Sequence, residues 1–217
     1  MMKSQTDMLV RVHRFLPCTE AEGPGTRAAL WVQGCSRKCP GCFNRAAWSH
    51  TGGTARTVKA IMNDIMAVRS RIEGVTFVGG EPFEQARPLA ELGAACRENG
   101  LSVVTFSGYT YAELVSGRRD EWNALLGVTD LLLDGPYVNA GKDTSRPWVG
   151  SRNQGFIFLS ERYSHLKERL KGIPNRLEFI VGADGSVSLN GLAATDEIRE
   201  AQTALATFGL TMRKVRS

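Results

Sequence analysis

Long apolar runs are what this 217-residue sequence lacks most plainly, since nowhere do 18 apolar residues follow one another. A chain without such a run is not expected to cross a membrane as a helix. The opening stretch MMKSQTDMLVRVHRFLP has no apolar segment long enough for a signal-peptide core, so a cytoplasmic protein is expected. Histidine is scarce, and His13, His50 and His165 form no ligand spacing. No internal repeat, low-complexity tract or linker marks a domain boundary. Cysteine is also limited: Cys18, Cys35, Cys39, Cys42 and Cys96 make an odd set that does not suit a disulfide framework. Nor is there a concentrated basic stripe. The 27 Lys and Arg against 22 Asp and Glu give a net charge of +5. The clusters Arg11 to Arg14, Arg118-Arg119 and Arg213 to Arg216 are short enough to be solvated surface, so nucleic acid binding has no support.

With 42% hydrophobic residues, the chain can bury one core and is too short for two large ones. Apolar strand-like runs alternate with helix-like segments. Ala28 to Val32, Gly74 to Val78, Leu101 to Phe106, Asp130 to Asp134, Gly155 to Leu159 and Leu177 to Val181 read as strands. Val58, Ile61, Met62 and Ile65 share one face of a helix opening near Thr57, and Leu89, Leu92 and Cys96 form a second stripe ending at Asn99-Gly100. The alternation predicts parallel βα units. A complete eight-unit barrel needs about 250 residues, so the expectation is an α/β fold, an incomplete (β/α)6-type barrel with an open side. Residues 1–26 serve as a lead-in, 27–160 as the core and 161–217 as a C-terminal extension of a single domain. In that extension, Val181-Gly182-Ala183-Asp184-Gly185 reads as turn chemistry and Val187 and Leu189 as a return strand, making a hairpin. A last helix is expected from near Thr195, with Ile198, Ala201, Leu205 and Phe208 on one face and Gly209 as its stop; it is read as packing.

The chemistry concentrates in Gly34-Cys35-Ser36-Arg37-Lys38-Cys39-Pro40-Gly41-Cys42-Phe43. Three thiols at C-x3-C-x2-C spacing follow a strand, and Pro40-Gly41 supplies the tight turn that lets a short loop wrap a metal group. Cuboidal iron–sulfur clusters usually take four cysteines. Three local ligands would leave one iron open to a substrate or cofactor, as in catalytic metal sites. Two other arrangements stand beside this one: a zinc site completed by Cys18 or His50, and an electron-transfer cluster closed by Cys18 or Cys96. Buried free cysteine is common, which makes Cys18 and Cys96 structural candidates.

Four motifs in order carry a resemblance: Glu22-Gly23-Pro24-Gly25-Thr26-Arg27, the cysteine motif continuing as Cys-Phe-Asn, Gly79-Gly80-Glu81-Pro82, and Ser107-Gly108-Tyr109-Thr110. Leu133-Asp134-Gly135-Pro136-Tyr137-Val138 and Pro147 to Gln154 add to it. Over roughly residues 11 to 160 the sequence resembles the radical S-adenosylmethionine (SAM) superfamily, and within it the activases of glycyl radical enzymes such as anaerobic ribonucleotide reductase. The resemblance implies a [4Fe-4S] cluster on Cys35, Cys39 and Cys42. It implies SAM chelated to the open iron and cleaved reductively to a 5'-deoxyadenosyl radical, which abstracts hydrogen from a glycine of a partner enzyme. The cofactor carries the difficult chemistry while the protein positions it. Gly79, Gly80 and Glu81 are expected near the methionyl end of SAM, Gly41, Cys42 and Phe43 near the adenine and cluster, and Ser107, Gly108 and Tyr109 near the ribose or carboxylate. Asp134 is a candidate for orienting substrate or for capping its own turn, while Asn153 and Gln154 receive no role. A flavodoxin- or ferredoxin-like protein is the expected electron donor. Two alternatives are a radical SAM enzyme acting on a small molecule or peptide, and a non-catalytic iron–sulfur or zinc protein. The extension from about Ser160 exceeds what the compact activases have.

Overall fold

The structure is a computed structural model that describes residues 8–181, 187–192 and 195–207, with only the backbone described for 195–197. Residues 182–185 of the expected turn, Phe208, Gly209 and the basic residues from 213 to 216 lie outside the described residues. In chain order, β1 is Leu9–Thr19, β2 Arg27–Val32, β3 Thr54–Thr57, α1 Val58–Ala67, β4 Gly74–Gly79, α2 Ala86–Glu98 and β5 Ser102–Phe106. There follow α3 Tyr111–Ser116, α4 Asp120–Val128, β6 Leu131–Asp134, β7 Gly155–Phe158, β8 Leu177–Val181, β9 Val187–Gly191 and α5 Thr195–Thr207.

The main sheet has seven strands in the order β3-β1-β2-β4-β5-β6-β7, and β8 and β9 form a separate pair. Among the described residues, only β2, β4, β5 and β6 run parallel. β7 returns antiparallel to β6, and β1 runs antiparallel to both β2 and β3. The protein is therefore a mixed α/β fold around an open central sheet. The six expected strands are present, but two are not parallel βα units. Gly155–Phe158 follows a long connection that holds only a single 3-10 turn at Asn139–Gly141, so it returns beside β6 without a crossover α-helix. Leu177–Val181 pairs with β9 in the hairpin. The lead-in contains β1, whose alternation is broken by two irregularities in its register with β2.

Parallel strands are covered on both faces, which explains their continuous apolar runs. Ala28, Leu30 and Val32 on β2, Val75 and Phe77 on β4, Val103 on β5 and Leu132 on β6 face the main core. There they meet Ile61 and Ile65 of α1, Leu89, Leu92 and Cys96 of α2, and Leu125 of α4. The alternate residues Ala29, Trp31 and Val78 form a small second cluster joined by Phe106. Val104, Leu131 and Leu133 pack with Trp148 and Tyr163. Helix starts follow local chemistry: Thr57 accepts from Ala60 N at 3.1 Å, and Thr110 and Glu113 form a reciprocal capping box.

A buried cation fastens the strand starts. Arg27 is fully buried and donates to Thr76 Oγ1, Pro24 O, Val75 O, Ser102 Oγ and Tyr163 Oη. Burial lowers its pKa, and the neighbouring Tyr163 and Glu73 oppose that effect. The opposite, C-terminal ends of the same strands are left to form a site.

Candidate active site

The cysteine loop leaves the end of β2 and is stitched to the turn after β4. Gly34 N donates to Ala47 O at 2.8 Å, Cys35 N to Trp48 O at 3.1 Å, Gly80 N to Val32 O at 2.8 Å and Glu81 N to Gly34 O at 2.8 Å. This seam demands glycine at position 80, where a Cβ would stand 2.2 Å from Gly34 O. Within the loop, Cys42 N bonds Cys39 O at 3.1 Å. Gly41 turns at φ 83°, and a Cβ there would meet Asn139 and Tyr137 at 3.1–3.2 Å.

The thiols sit among backbone donors. Asn44 N donates to Cys42 Sγ at 3.4 Å. Burial pushes the Cys35 thiol up, while the backbone N–H groups of Lys38 and Arg37 pull it down by favouring the thiolate. The other thiols lie elsewhere: Cys96 is fully buried in the main core and Cys18 packs against that core. His50 bonds Glu84 Oε2 at 2.8 Å, and Glu84 Oε1 accepts from Ser36 N at 2.7 Å, so this imidazole is engaged in holding the loop.

Glu81 joins the second and third motifs. It is 1% exposed, and its Oε1 accepts from Phe83 N at 3.0 Å and Ser107 Oγ at 3.0 Å. Its Oε2 accepts from Gly108 N at 2.7 Å. Burial pushes its carboxyl up to about 7, against the pull of those donors. Ser107 Oγ in turn accepts from Tyr109 N at 3.0 Å, so the turn after β4 sets the turn after β5.

One cavity of about 630 Å³ collects most of the expected residues: Cys35, Cys39, Cys42, Phe43, Gly79, Gly80, Glu81, Ser107 and Gly108 all line it. A volume of this size suits a nucleoside-sized ligand. Phe43 is 55% exposed and edge-on to Tyr137 at 5.5 Å. Gly41, Tyr109 and Asp134 are outside this lining. The Tyr109 ring packs at a 46° tilt against Trp122, with the Arg37 guanidinium 4.7 Å from its ring centre. Asp134 Oδ2 accepts from Tyr111 N at 2.6 Å, holding the start of α3.

Several lining residues escape the motif reading. Trp31 and Phe106 fall at strand ends on the face away from the helices, a position that strand alternation marks once the helix-facing set is assigned. Tyr137 and Trp148 lie in quoted stretches whose geometry no pattern specifies. Gln154 acquires a purpose: its Oε1 accepts from Gly150 N and Ser151 N, and its Nε2 donates to Gly135 O. Asn153 donates to Pro136 O at 2.6 Å, so both residues tie the β6 exit loop to the loop before β7. On the far side, Glu22 and Arg14 border the cavity. Burial raises Glu22 to about 8 and Arg14 opposes this, while Arg14 itself stands 5.1 Å over Trp31.

Residues 21–157 match the family model described as a 4Fe-4S single cluster domain. Among characterised relatives, the anaerobic ribonucleoside-triphosphate reductase-activating protein of Vibrio cholerae is 34% identical over 149 residues, 65% of this chain and 94% of that protein. The protein of the same name from Escherichia coli K12 is 30% identical over 151 residues, 65% of this chain and 94% of its own length. That of Enterobacteria phage T4 is 30% identical over 148 residues, 65% of this chain and 89% of its own. The crystal structure of QueE from Escherichia coli aligns with 49% of this chain and 56% of that one at 20% identity and a TM-score of 0.42, too loose a likeness to support an argument.

Proposed function

Because this chain belongs to the anaerobic ribonucleoside-triphosphate reductase-activating proteins, a radical SAM family with a 4Fe-4S single cluster domain, we propose that Cys35, Cys39 and Cys42 hold its [4Fe-4S] cluster. The observation that carries the assignment is the placement of these three thiols on one cavity with the Gly79-Gly80 turn. Cys18 and Cys96 are spent in packing. The chemistry fits: the three thiols are free and open onto the same cavity, and cysteine thiolates are the ligands such clusters require.

When bound, the cluster and SAM supply one-electron cleavage of a sulfonium S–C bond and hydrogen-atom abstraction from a glycine of a glycyl radical partner enzyme. The remaining work belongs to the chain. Gly79 and Gly80 present backbone to the methionyl end of the ligand, Phe43 offers an exposed aromatic face to the adenine, and Ser107 and Gly108 border the ribose side. Glu81, next to the Gly79-Gly80 turn, fixes the Ser107-Gly108 turn through both carboxylate oxygens. Asp134 and Tyr109 position loops. Trp31, Phe106 and Trp148 surround the cavity with apolar surface that excludes water and stray hydrogen donors.

The sheet is read as an incomplete barrel, four parallel strands with antiparallel flanks, whose open side admits a partner's loop. Residues 1–217 are read as one domain, with 27–160 as the activase core. Among the described residues no helix is long and apolar enough to cross a membrane. A cytoplasmic, reducing setting suits five free thiols and an electron supply from a flavodoxin- or ferredoxin-like protein.

The test is anaerobic reconstitution with iron and sulfide, reduction, addition of SAM and measurement of 5'-deoxyadenosine, beside a variant with Cys35, Cys39 and Cys42 all changed to Ala. Product from the wild type alone supports the assignment. A fully loaded, reduced protein that makes none overturns it.

A further inference from the structure

The family match ends at residue 157, yet residues well beyond it help to build the cavity. The hairpin of β8 and β9 is jointed to the end of β1. Glu178 on β8 accepts from Thr19 Oγ1 at 2.5 Å and Asn190 Nδ2 at 3.3 Å through one oxygen, and from Glu20 N at 2.6 Å through the other. Asn190 also donates to Thr19 Oγ1 at 2.8 Å, and Arg176 pairs with Glu20 at 2.5 Å. Thr19 is 2% exposed and Asn190 5%. Polar groups sheltered to that degree are costly to leave unpaired, so the contact is a specific joint between the hairpin and residues 19–20.

The joint sets other side chains against the site. Leu189 and Leu192 beside it, and Ile198 and Gln202 on α5, line the same cavity as the cysteine loop. Arg14 Nη1 reaches Leu189 O at 3.5 Å. Helix α5 is expected from sequence to serve packing alone; the face carrying Ile198 instead borders the cavity.

We infer that β8, β9 and α5 form a substrate-selecting wall of the SAM cavity, latched to β1 by Glu178 and Asn190, that admits a narrow apolar stretch of partner polypeptide bearing the reacting glycine. This rests on the activase reading above. The wall's lining, three aliphatic side chains, Gly191 and the uncharged amides of Asn190 and Gln202, offers no charge that would hold a phosphate or a polyanion. The aliphatic groups match small or apolar side chains, and the Gln202 amide matches a peptide group. Among the described residues that line that side, Arg14 is the one arginine or lysine, and it lies over Trp31 and beside Glu22, whose carboxylate it favours.

The test uses reconstituted full-length enzyme with SAM, a chemical reductant and a synthetic peptide carrying the glycine loop of an anaerobic ribonucleotide reductase. Glu178→Ala removes both carboxylate oxygens of the latch and leaves Asn190 only Thr19 Oγ1 as acceptor. The expected result is a peptide KM raised about tenfold with the SAM KM held within about twofold, together with faster proteolytic cleavage in the extension. Glu178→Gln, which keeps one acceptor oxygen, recovers part of the peptide KM. Ile198→Arg leaves the latch intact and raises the peptide KM by placing a cation in the wall. The inference is overturned by an unchanged peptide KM in Glu178→Ala or Ile198→Arg, or by an extension in Glu178→Ala as protease-resistant as in wild type. If the wild type cleaves SAM but neither responds to peptide nor gives a glycyl radical signal, the activase reading fails by itself. The wall is then judged by iron loss to a chelator: several-fold faster loss in Glu178→Ala supports it, and equal rates overturn it.

Discussion

Removing a single hydroxyl, by Tyr163→Phe, tests the claim that one end of this sheet holds the fold while the other performs chemistry. Tyr163 is 2% exposed, and its hydroxyl uses its full bonding capacity. It accepts from Arg27 Nη1 at 2.7 Å, donates to Glu73 Oε1 at 2.7 Å and contacts Ser102 Oγ at 2.6 Å. Phenylalanine keeps the ring that lies 5.9 Å from the Arg27 guanidinium, so the change isolates the polar contribution. Arg27 Nη1 retains Pro24 O and Ser102 Oγ, which limits the damage to the hydroxyl's own bonds to Arg27, Glu73 and Ser102, partly offset by their remaining partners. A hydrogen bond to a charged group contributes about 1.5–3 kcal/mol, so the expected loss is about 2–3 kcal/mol. At about 2–4 °C per kcal/mol for a protein of this size, the midpoint falls by about 5–10 °C. Arg27 pairs with Gly74 at the start of β4, and Gly79 ends that strand at the cavity. At about 3.3 Å per residue the two ends are about 16 Å apart. SAM cleavage per folded molecule therefore stays within about twofold of wild type. Urea unfolding followed by circular dichroism, with 5'-deoxyadenosine measured on the same preparation, checks both parts. A stability loss below about 0.5 kcal/mol, the range of ordinary surface substitutions, would refute the role given to the buried network, and a collapse of activity at full stability would refute the separation of the two ends.

Other perturbations act at the cavity. Gly80→Ala would drive a methyl into Gly34 O, 2.2 Å away, and is expected to separate the glycine turn from the cysteine loop; 5'-deoxyadenosine formation should fall at least about tenfold while far-UV dichroism is unchanged. Phe43→Ala removes an exposed ring, so stability should change by no more than about 0.5 kcal/mol, and the SAM KM should rise in steady-state assays. Glu22 has a folded pKa raised by burial to about 8 from 4.5. Between those values the folded state binds more protons than the unfolded one, so its contribution makes stability fall as pH rises from 4.5 to 8. Glu22→Gln should flatten that decline in denaturation midpoints measured across the interval.

Legibility in the sequence followed the locality of each interaction. Thr57, the α2 stripe and Asn99-Gly100 act within one or two turns, so the start of α1 and the end of α2 are legible almost to the residue. The four parallel strands were equally plain, because burial on both faces leaves an uninterrupted apolar run. Strand β1 was not, since its apolar residues are interrupted by Arg11, His13 and Arg14, and these side chains are satisfied by partners far along the chain. Arg11 Nη1 donates to Gly52 O, and His13 Nδ1 bonds Gln33 Oε1. Direction was likewise invisible for Gly155–Phe158: four apolar residues give no hint whether the chain entering them has crossed over or doubled back.

The same limit explains how the site was read. A motif names residues that share a function, but it does not separate those facing a ligand from those holding the residues that do. Ser107-Gly108-Tyr109 is one such unit: Ser107 and Gly108 reach the cavity, whereas the Tyr109 ring turns back onto Trp122. Glu81 shows the reason. A carboxylate with both oxygens bonded to Phe83 N, Ser107 Oγ and Gly108 N has little capacity left for a ligand, yet without it neither turn would keep its place. The extension carries this further, because Glu178 and Thr19 are separated by 159 positions and no local pattern links them. Only their contact converts Ile198 from one apolar position on an amphipathic helix into part of the wall that a partner polypeptide would meet.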